Sequence, residues 1–110
     1  MRELNMRDRF NAKNGGEKPE AYIGETITVV ALGEYTDDVR DLETGEVTAK
    51  PISVIVTDDG HTITSPSATL NKAVRDLTDL VADEGLETVD VKLAHGVSNS
   101  GRKYLTLLLA

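Results

Sequence analysis

The chain has 110 residues and a hydrophobic fraction of 39%, which is enough for one domain with a single modest core. Its 19 acidic and 12 basic residues give a formal net charge of -7, which disfavours indiscriminate coating of duplex DNA. The absence of cysteine excludes disulfides and Cys-based metal sites and is compatible with a reducing cytoplasm. No apolar run approaches the roughly 20 residues of a membrane span, so we expect a soluble, cytoplasmic protein that makes no membrane contact.

The first twenty residues differ in composition from the rest of the chain. Residues 1–20 have few apolar side chains and carry five cations: Arg2, Arg7, Arg9, Lys13 and Lys18. A segment that cannot bury apolar surface is typical of a flexible arm. Such an arm is either an unstructured terminus or a segment that orders on a nucleic-acid or protein partner.

Three strands are predicted in the first half of the remaining chain. Residues 26–36 are β-branched and apolar, and Gly33 interrupts them where a strand would bend or bulge. Residues 37–46 are acidic and turn-prone, and a second strand follows Pro51 over residues 52–57. The tripeptide Asp58-Asp59-Gly60 predicts a hairpin turn into a third strand over residues 61–65.

A helix and two further strands complete the pattern. Ser65-Pro66 predicts a helix start, and apolar residues then recur at three- and four-residue spacing until Gly85, a suitable C-cap. Alternating apolar residues predict strands over 88–93 and 103–109. The order β-β-β-α-β-β is that of a five-stranded OB-like barrel, although an open α+β sheet has the same order. The sequence therefore predicts a mainly β, OB-like domain over residues 21–110.

The last two strands carry a local reversal of charge. From Val91 to Ala110 the chain has Lys92, Arg102 and Lys103 but no carboxylate. We expect these three cations to cluster along one hairpin and to bind a polyanion. Tyr104 follows them directly, and alternation places its ring on the face opposite Lys103. This ring either stacks on a base or packs at the boundary of the core.

A second group of candidate binding residues lies near the end of the first strand. Tyr35 is a further stacking candidate, and Lys50 lies beside the loop that follows it. Carboxylates surround this region, namely Glu34, Asp37, Asp38, Asp41, Glu43 and Glu46, and they weaken any phosphate-binding groove there. Catalytic, cofactor and metal motifs are not expected, because His61 and His95 lie in different elements and no Gly-rich phosphate loop is present.

Several stretches together resemble the small single-stranded DNA-binding proteins of bacteriophages and related mobile elements. They are the opening 22–27, Asp58-Asp59-Gly60 with the Thr-rich strand after it, residues 73–77 of the helix, and the closing 101–107. The resemblance implies an OB-like fold that coats single-stranded DNA during replication without catalysis. It also implies a site at Arg102, Lys103 and Tyr104 with the strand residues Thr62 and Thr64, whereas the acidic loop departs from the family pattern.

Two functional hypotheses follow. The first is non-catalytic, largely sequence-independent binding of single-stranded DNA in phage or mobile-element replication or recombination, with replication proteins as further partners. The second is a structural or adaptor protein, such as a phage assembly component, that uses an exposed strand edge. A monomer and a homodimer are both compatible with the sequence.

Overall fold

The computed structural model describes all residues from Met1 to Ala110. Its five strands form one antiparallel sheet, with one long helix between the third and fourth strands. No helix combines the length and apolar character that crossing a lipid bilayer requires. The elements in chain order are α1 (Met6–Gly15), a 3₁₀ turn (Pro19–Tyr22), β1 (Thr26–Arg40), β2 (Val47–Thr57), β3 (Thr62–Ser65), α2 (Ala68–Glu84), β4 (Val89–Val97) and β5 (Lys103–Leu109).

The sheet has the order β3-β2-β1-β4-β5, which confirms the predicted β-β-β-α-β-β arrangement. It differs from a closed barrel because β3 and β5 do not pair. Glu17 takes that edge of β3: its N–H donates to the Thr62 carbonyl at 2.8 Å, and its carbonyl accepts from the Thr64 N–H at 2.9 Å. The N-terminal segment thus satisfies backbone groups that a neighbouring strand would otherwise pair.

The main core lies between the sheet and α2, on what we call the α2 face. Seven of its side chains are at most 2% exposed: Val29, Ile55, Ile63, Leu70, Val74, Val91 and Leu93. The apolar spacing along α2 predicted this buried stripe, and alternation along the strands supplies the opposing side chains. Across the sheet, on the α1 face, a smaller cluster joins Ala12 to Ala31, Val54 and Val56.

The ends of α2 show one confirmed prediction and one correction. Gly85 is the C-cap in the left-handed region, with φ of 65°, as its position after the apolar repeat predicted. The N-cap is Ser67 and not Ser65, because the Ser67 hydroxyl accepts from the Leu70 N–H. The Ser65 hydroxyl instead accepts from the Ser67 N–H, in the turn that precedes the helix.

The first twenty residues differ from the expected flexible arm, because residues 6–15 form α1. Asn5 and Asp8 make a reciprocal capping box, in which each side chain accepts from the other's backbone N–H. Asp8 is buried and pairs with Arg2 at 2.5 Å. Leu4 packs against the cluster on the α1 face. A boundary between arm and domain near residue 20 stays a prediction.

The first two strands are longer than the sequence indicated. β1 runs on to Arg40 and β2 begins at Val47, so only the turn between them remains of the predicted acidic loop. The irregularity expected at Gly33 lies between Val29 and Ala31, where the register with β2 shifts. Gly33 serves a different purpose, since a Cβ there would lie 2.5 Å from the Leu4 Cδ1. Its missing side chain lets the N-terminal segment lie against the sheet.

Candidate nucleic-acid interface

The β4–β5 hairpin forms as predicted, and its tip is closed by short polar contacts. The Ser98 N–H donates to the Arg102 carbonyl at 2.9 Å, and the Gly101 N–H donates to the Ser98 carbonyl at 2.9 Å. Gly101 has φ of 82°, a conformation that suits glycine. Arg102 and Lys103 are exposed where the chain returns into β5, and neither makes an ion pair.

The Tyr104 ring lies against Gly96 on the neighbouring strand. It is the register partner of Gly96, and its ring atoms Cζ, Cε2 and hydroxyl oxygen occupy the space that a Gly96 side chain would need. The residue is 37% exposed and belongs to neither core cluster. One side of the ring is therefore supported by backbone, which is the arrangement of a stacking platform.

Register separates the three hairpin cations. Lys92 pairs with Thr26 on one side and Leu108 on the other, which puts it on the α1 face with Tyr104. Lys103 pairs with Val97 and lies on the α2 face with Leu105. Lys92 is also four positions along β4 from Gly96, about 13 Å at the usual strand rise. The three cations therefore do not form one compact cluster. They are spread along the hairpin, with Lys92 on the α1 face and Lys103 on the α2 face.

Lys103 borders a cleft between the hairpin and the start of α2. This cleft has a volume of about 410 Å³ and includes Glu20, His95 and Thr69. The Glu20 carboxylate gives the cleft a mixed charge.

Tyr35 and Lys50 lie on the α1 face, at the opposite end of β1 from the residues that pair with β4. Tyr35 is half-buried, and burial, with a smaller contribution from the charge of Asp37, raises the pKa of its hydroxyl above the ordinary value. The Nζ of Lys13 lies 5.5 Å from the centre of its ring, a cation–π distance. Lys50 is exposed and is the register partner of Asp37. This second group is separate from the hairpin.

Thr62 and Thr64, the last two predicted site residues, have little exposed surface. Thr62 is 8% exposed, and Thr64 is half-buried where Gly16 passes close to its side chain. Both lie on the α1 face as partners of Val56 and Val54. The N-terminal segment covers them, because it packs on this part of the sheet. They make no continuous surface with the hairpin cations.

Of the eight other cations, three make ion pairs and five, which include Lys18 and Arg40, make none. Arg2 pairs with Asp8, Lys72 with Asp76, and Arg75 with Glu34. Arg75 makes a bidentate contact with the Glu34 carboxylate on β1, a pair between distant segments that only the tertiary structure supplies. Arg7, Arg9 and Lys13 on α1 are exposed and unpaired. Sequence reasoning had not placed these on a surface of defined shape; the Asn5–Asp8 spacing was the signal for the helix.

This fold and interface define a class: small, open OB-like β-sheet proteins that expose a cationic hairpin with a supported aromatic ring. The chain belongs to the phage single-stranded DNA-binding protein family, whose model matches residues 4–110. The match includes α1, so the family sequence pattern extends over most of the segment expected to be an arm.

Individual relatives agree with this assignment. The chain is 31% identical over 102 residues to the single-stranded DNA-binding protein of Bacillus phage B103, covering 91% of this chain and 82% of that protein. It is 32% identical over 103 residues to the proteins of the same name from Bacillus phages PZA and phi29, covering 92% of this chain and 82% of each relative. No solved structure gives a significant match.

Proposed function

We propose that this protein binds single-stranded DNA without catalysis and with little sequence preference, in phage or mobile-element replication or recombination. The observation that carries the proposal is the family match over residues 4–110, together with relatives that are named single-stranded DNA-binding proteins. Binding would take place in the cytoplasm of the host cell, with replication proteins as further partners.

The hairpin supports this function through two kinds of contact. Lys92, Arg102 and Lys103 would neutralise backbone phosphates, which needs charge but no base sequence. Tyr104, held against Gly96, would stack on a base, and stacking tolerates every base because each has an aromatic face. Ring and cations together account for binding that does not depend on sequence.

Tyr35 and Lys50 would form a second contact at the other end of β1. Asp37 lies opposite Lys50 and reduces the attraction for phosphate there, so this contact would be the weaker of the two. Thr62 and Thr64 support the interface least, because the N-terminal segment covers them. The net charge of -7 further restricts binding to these local cationic surfaces.

An adaptor function is the second candidate, and a specific surface favours it. β5 has one unpaired edge, and Leu108 and Leu109 near its end are 55% and 65% exposed. A free edge with apolar side chains is a potential strand-pairing surface. In that case the hairpin cations would contribute little to binding of any nucleic acid.

A titration distinguishes the two. We would measure the anisotropy of labelled single-stranded DNA, duplex DNA and RNA of equal length at low and moderate salt. Three phosphate contacts on a single strand predict a slope of log affinity against log salt near -2, from roughly 0.7 per phosphate. A slope near zero, or no binding to any of the three, would favour the adaptor function.

A further inference from the structure

The outward surface of α1 carries the large apolar side chains that an ordinary surface helix buries. Its buried residues are Asp8 and Ala12, whereas Met6 and Phe10 are 85% and 65% exposed. At 100° per residue, Phe10 lies nearly opposite the direction of the two buried residues. The only phenylalanine of the chain thus points to solvent and belongs to neither core cluster.

Charge on α1 is distributed with the same asymmetry. The helix has one carboxylate, Asp8, which is buried and paired with Arg2. Its cations, Arg7, Arg9 and Lys13, are exposed and have no carboxylate within ion-pair distance. In a chain with a net charge of -7, the helix itself therefore exposes three cations and no carboxylate around one aromatic ring. Carboxylates of neighbouring segments lie only at its edges, Glu17 in the cleft that Phe10 lines and Asp58 in the cleft that Arg7 lines.

We infer that the α1 outer surface, formed by Arg7, Arg9, Phe10 and Lys13, is a further binding surface for single-stranded DNA, on which Phe10 stacks with a base while the three cations contact phosphates. This inference rests on the proposed function. An unpaired cationic surface around an exposed aromatic ring matches the chemistry of a single strand: phosphates on one side and base faces on the other.

Two features link this surface to the rest of the interface. Lys13 lies 5.5 Å from the Tyr35 ring, so α1 adjoins the Tyr35–Lys50 group directly. In addition, α1 packs on the same face of the sheet that carries Lys92 and Tyr104 farther along the strand order. The N-terminal segment covers Thr62 and Thr64 but supplies its own cations and ring on the same side of the molecule.

The test uses the absence of tryptophan from this chain. Phe10→Trp would put a single indole on the α1 outer surface, and Leu80→Trp would put one on α2, across the sheet, at a position that is 55% exposed. Indole fluorescence and the anisotropy of a labelled oligonucleotide would be followed in the same titration. We expect quenching for Phe10→Trp and none for Leu80→Trp, with both variants binding the oligonucleotide.

A second set of variants measures the contribution of the surface. Phe10→Ala should weaken binding by about five- to 150-fold, as for loss of one stacked base. If α1 adds three contacts to the three of the hairpin, the slope of the unaltered protein should be near -4, and replacing Arg7, Arg9 and Lys13 together by Gln should reduce it by about 2. The same replacement of Lys72 and Arg75 on α2 should leave the slope unchanged.

The possible outcomes separate this inference from the proposed function. Binding by anisotropy without quenching in Phe10→Trp, or unchanged affinity of Phe10→Ala, would overturn the inference and leave single-stranded DNA binding in place. Failure of the unaltered protein to bind any single strand would overturn both. A change of mass in sedimentation for Phe10→Ala, with unchanged affinity for a short oligonucleotide, would show that the surface joins protein copies instead.

Discussion

The ring of Tyr104 lies across Gly96 on the adjacent strand, and the two residues are register partners on β5 and β4. Glycine at position 96 leaves the ring room to lie against the strand, because any Cβ there would overlap it. Gly96 is not in the left-handed region, so alanine is compatible with its backbone conformation. A single methyl group at this position can therefore displace the ring without straining the strand.

We accordingly expect Gly96→Ala to weaken single-stranded DNA binding while changing the free energy of unfolding by less than about 1 kcal/mol, since the methyl group displaces an exposed ring. Oligonucleotide anisotropy and urea denaturation measure the two effects. A variant that binds as tightly as the unaltered protein would show that the position of the Tyr104 ring is irrelevant to binding.

Substitutions of Tyr104 itself separate stacking from packing. Tyr104→Ala should cost roughly 1–3 kcal/mol of binding, as for loss of one stacked base. It should cost much less folding free energy than the about 3–5 kcal/mol of a truncated core aromatic, because the ring lies outside both clusters. Tyr104→Phe should retain binding, whereas Tyr104→Leu should behave like alanine. An early-unfolding alanine variant with full affinity would place the ring in the core.

The hairpin cations have a matched control on α2. Replacing Arg102 and Lys103 together by Gln should weaken binding and reduce the salt slope by about 1.4, from two lost phosphate contacts. Replacing Lys72 and Arg75 by Gln changes the net charge equally, but these side chains pair with Asp76 and Glu34. The control should retain the slope of the unaltered protein. Equal losses in both variants would mean that only net charge matters.

The alternating strands and the α2 repeat were readable in the sequence because each of them buries one face. Val91 and Leu93 lie in the core where alternation put them, and the order of elements followed. Tyr104 lies on the face opposite Lys103 for the same reason. Local periodicity was sufficient wherever a strand or helix packs on the main core.

Features that depend on contacts between distant segments could not be read in this way. The large apolar residues of α1, Met6 and Phe10, point to solvent and Ala12 is its only buried apolar residue, so no apolar repeat faces the sheet and only the capping box indicates the helix. Thr62 and Thr64 are covered because the segment that follows α1 packs against β3. The Arg75–Glu34 pair joins residues 41 positions apart, beyond the reach of helical spacing rules.

Leu4 tests whether the N-terminal segment contributes to stability. Its side chain fills the space over Gly33 and is half-buried, so Leu4→Ala should cost about 1 kcal/mol, below the 1.5–3 kcal/mol of a fully buried aliphatic side chain. Deleting residues 1–16 should lower the urea midpoint further, because Val54 and Val56 would lose Ala12 and Leu4 as neighbours. An unchanged urea midpoint after the deletion would show that the N-terminal segment behaves as the flexible arm that the sequence predicted.

Acid should release the N-terminal segment through Asp8. The hydrogen bond from Arg2, followed by that from the Asn5 N–H and opposed by burial, holds the pKa of this carboxyl below its ordinary value. A carboxylate whose pKa is depressed on folding stabilises the protein above its unfolded pKa of about 3.9, and this contribution is lost as the pH falls through the folded value.

At neutral pH we therefore expect Asp8→Asn to cost about 1–2 kcal/mol, a hydrogen bond to a charged group reduced by the solvent exposure of Arg2. The difference in urea midpoint between this variant and the unaltered protein should narrow below about pH 4, where the carboxylate is protonated in the unfolded chain. Asp76→Asn, at an exposed carboxylate paired with Lys72, should have a much smaller effect at neutral pH. A difference for Asp8→Asn that stays constant from pH 7 to pH 3 would show that the charge of Asp8 does not hold α1 in place.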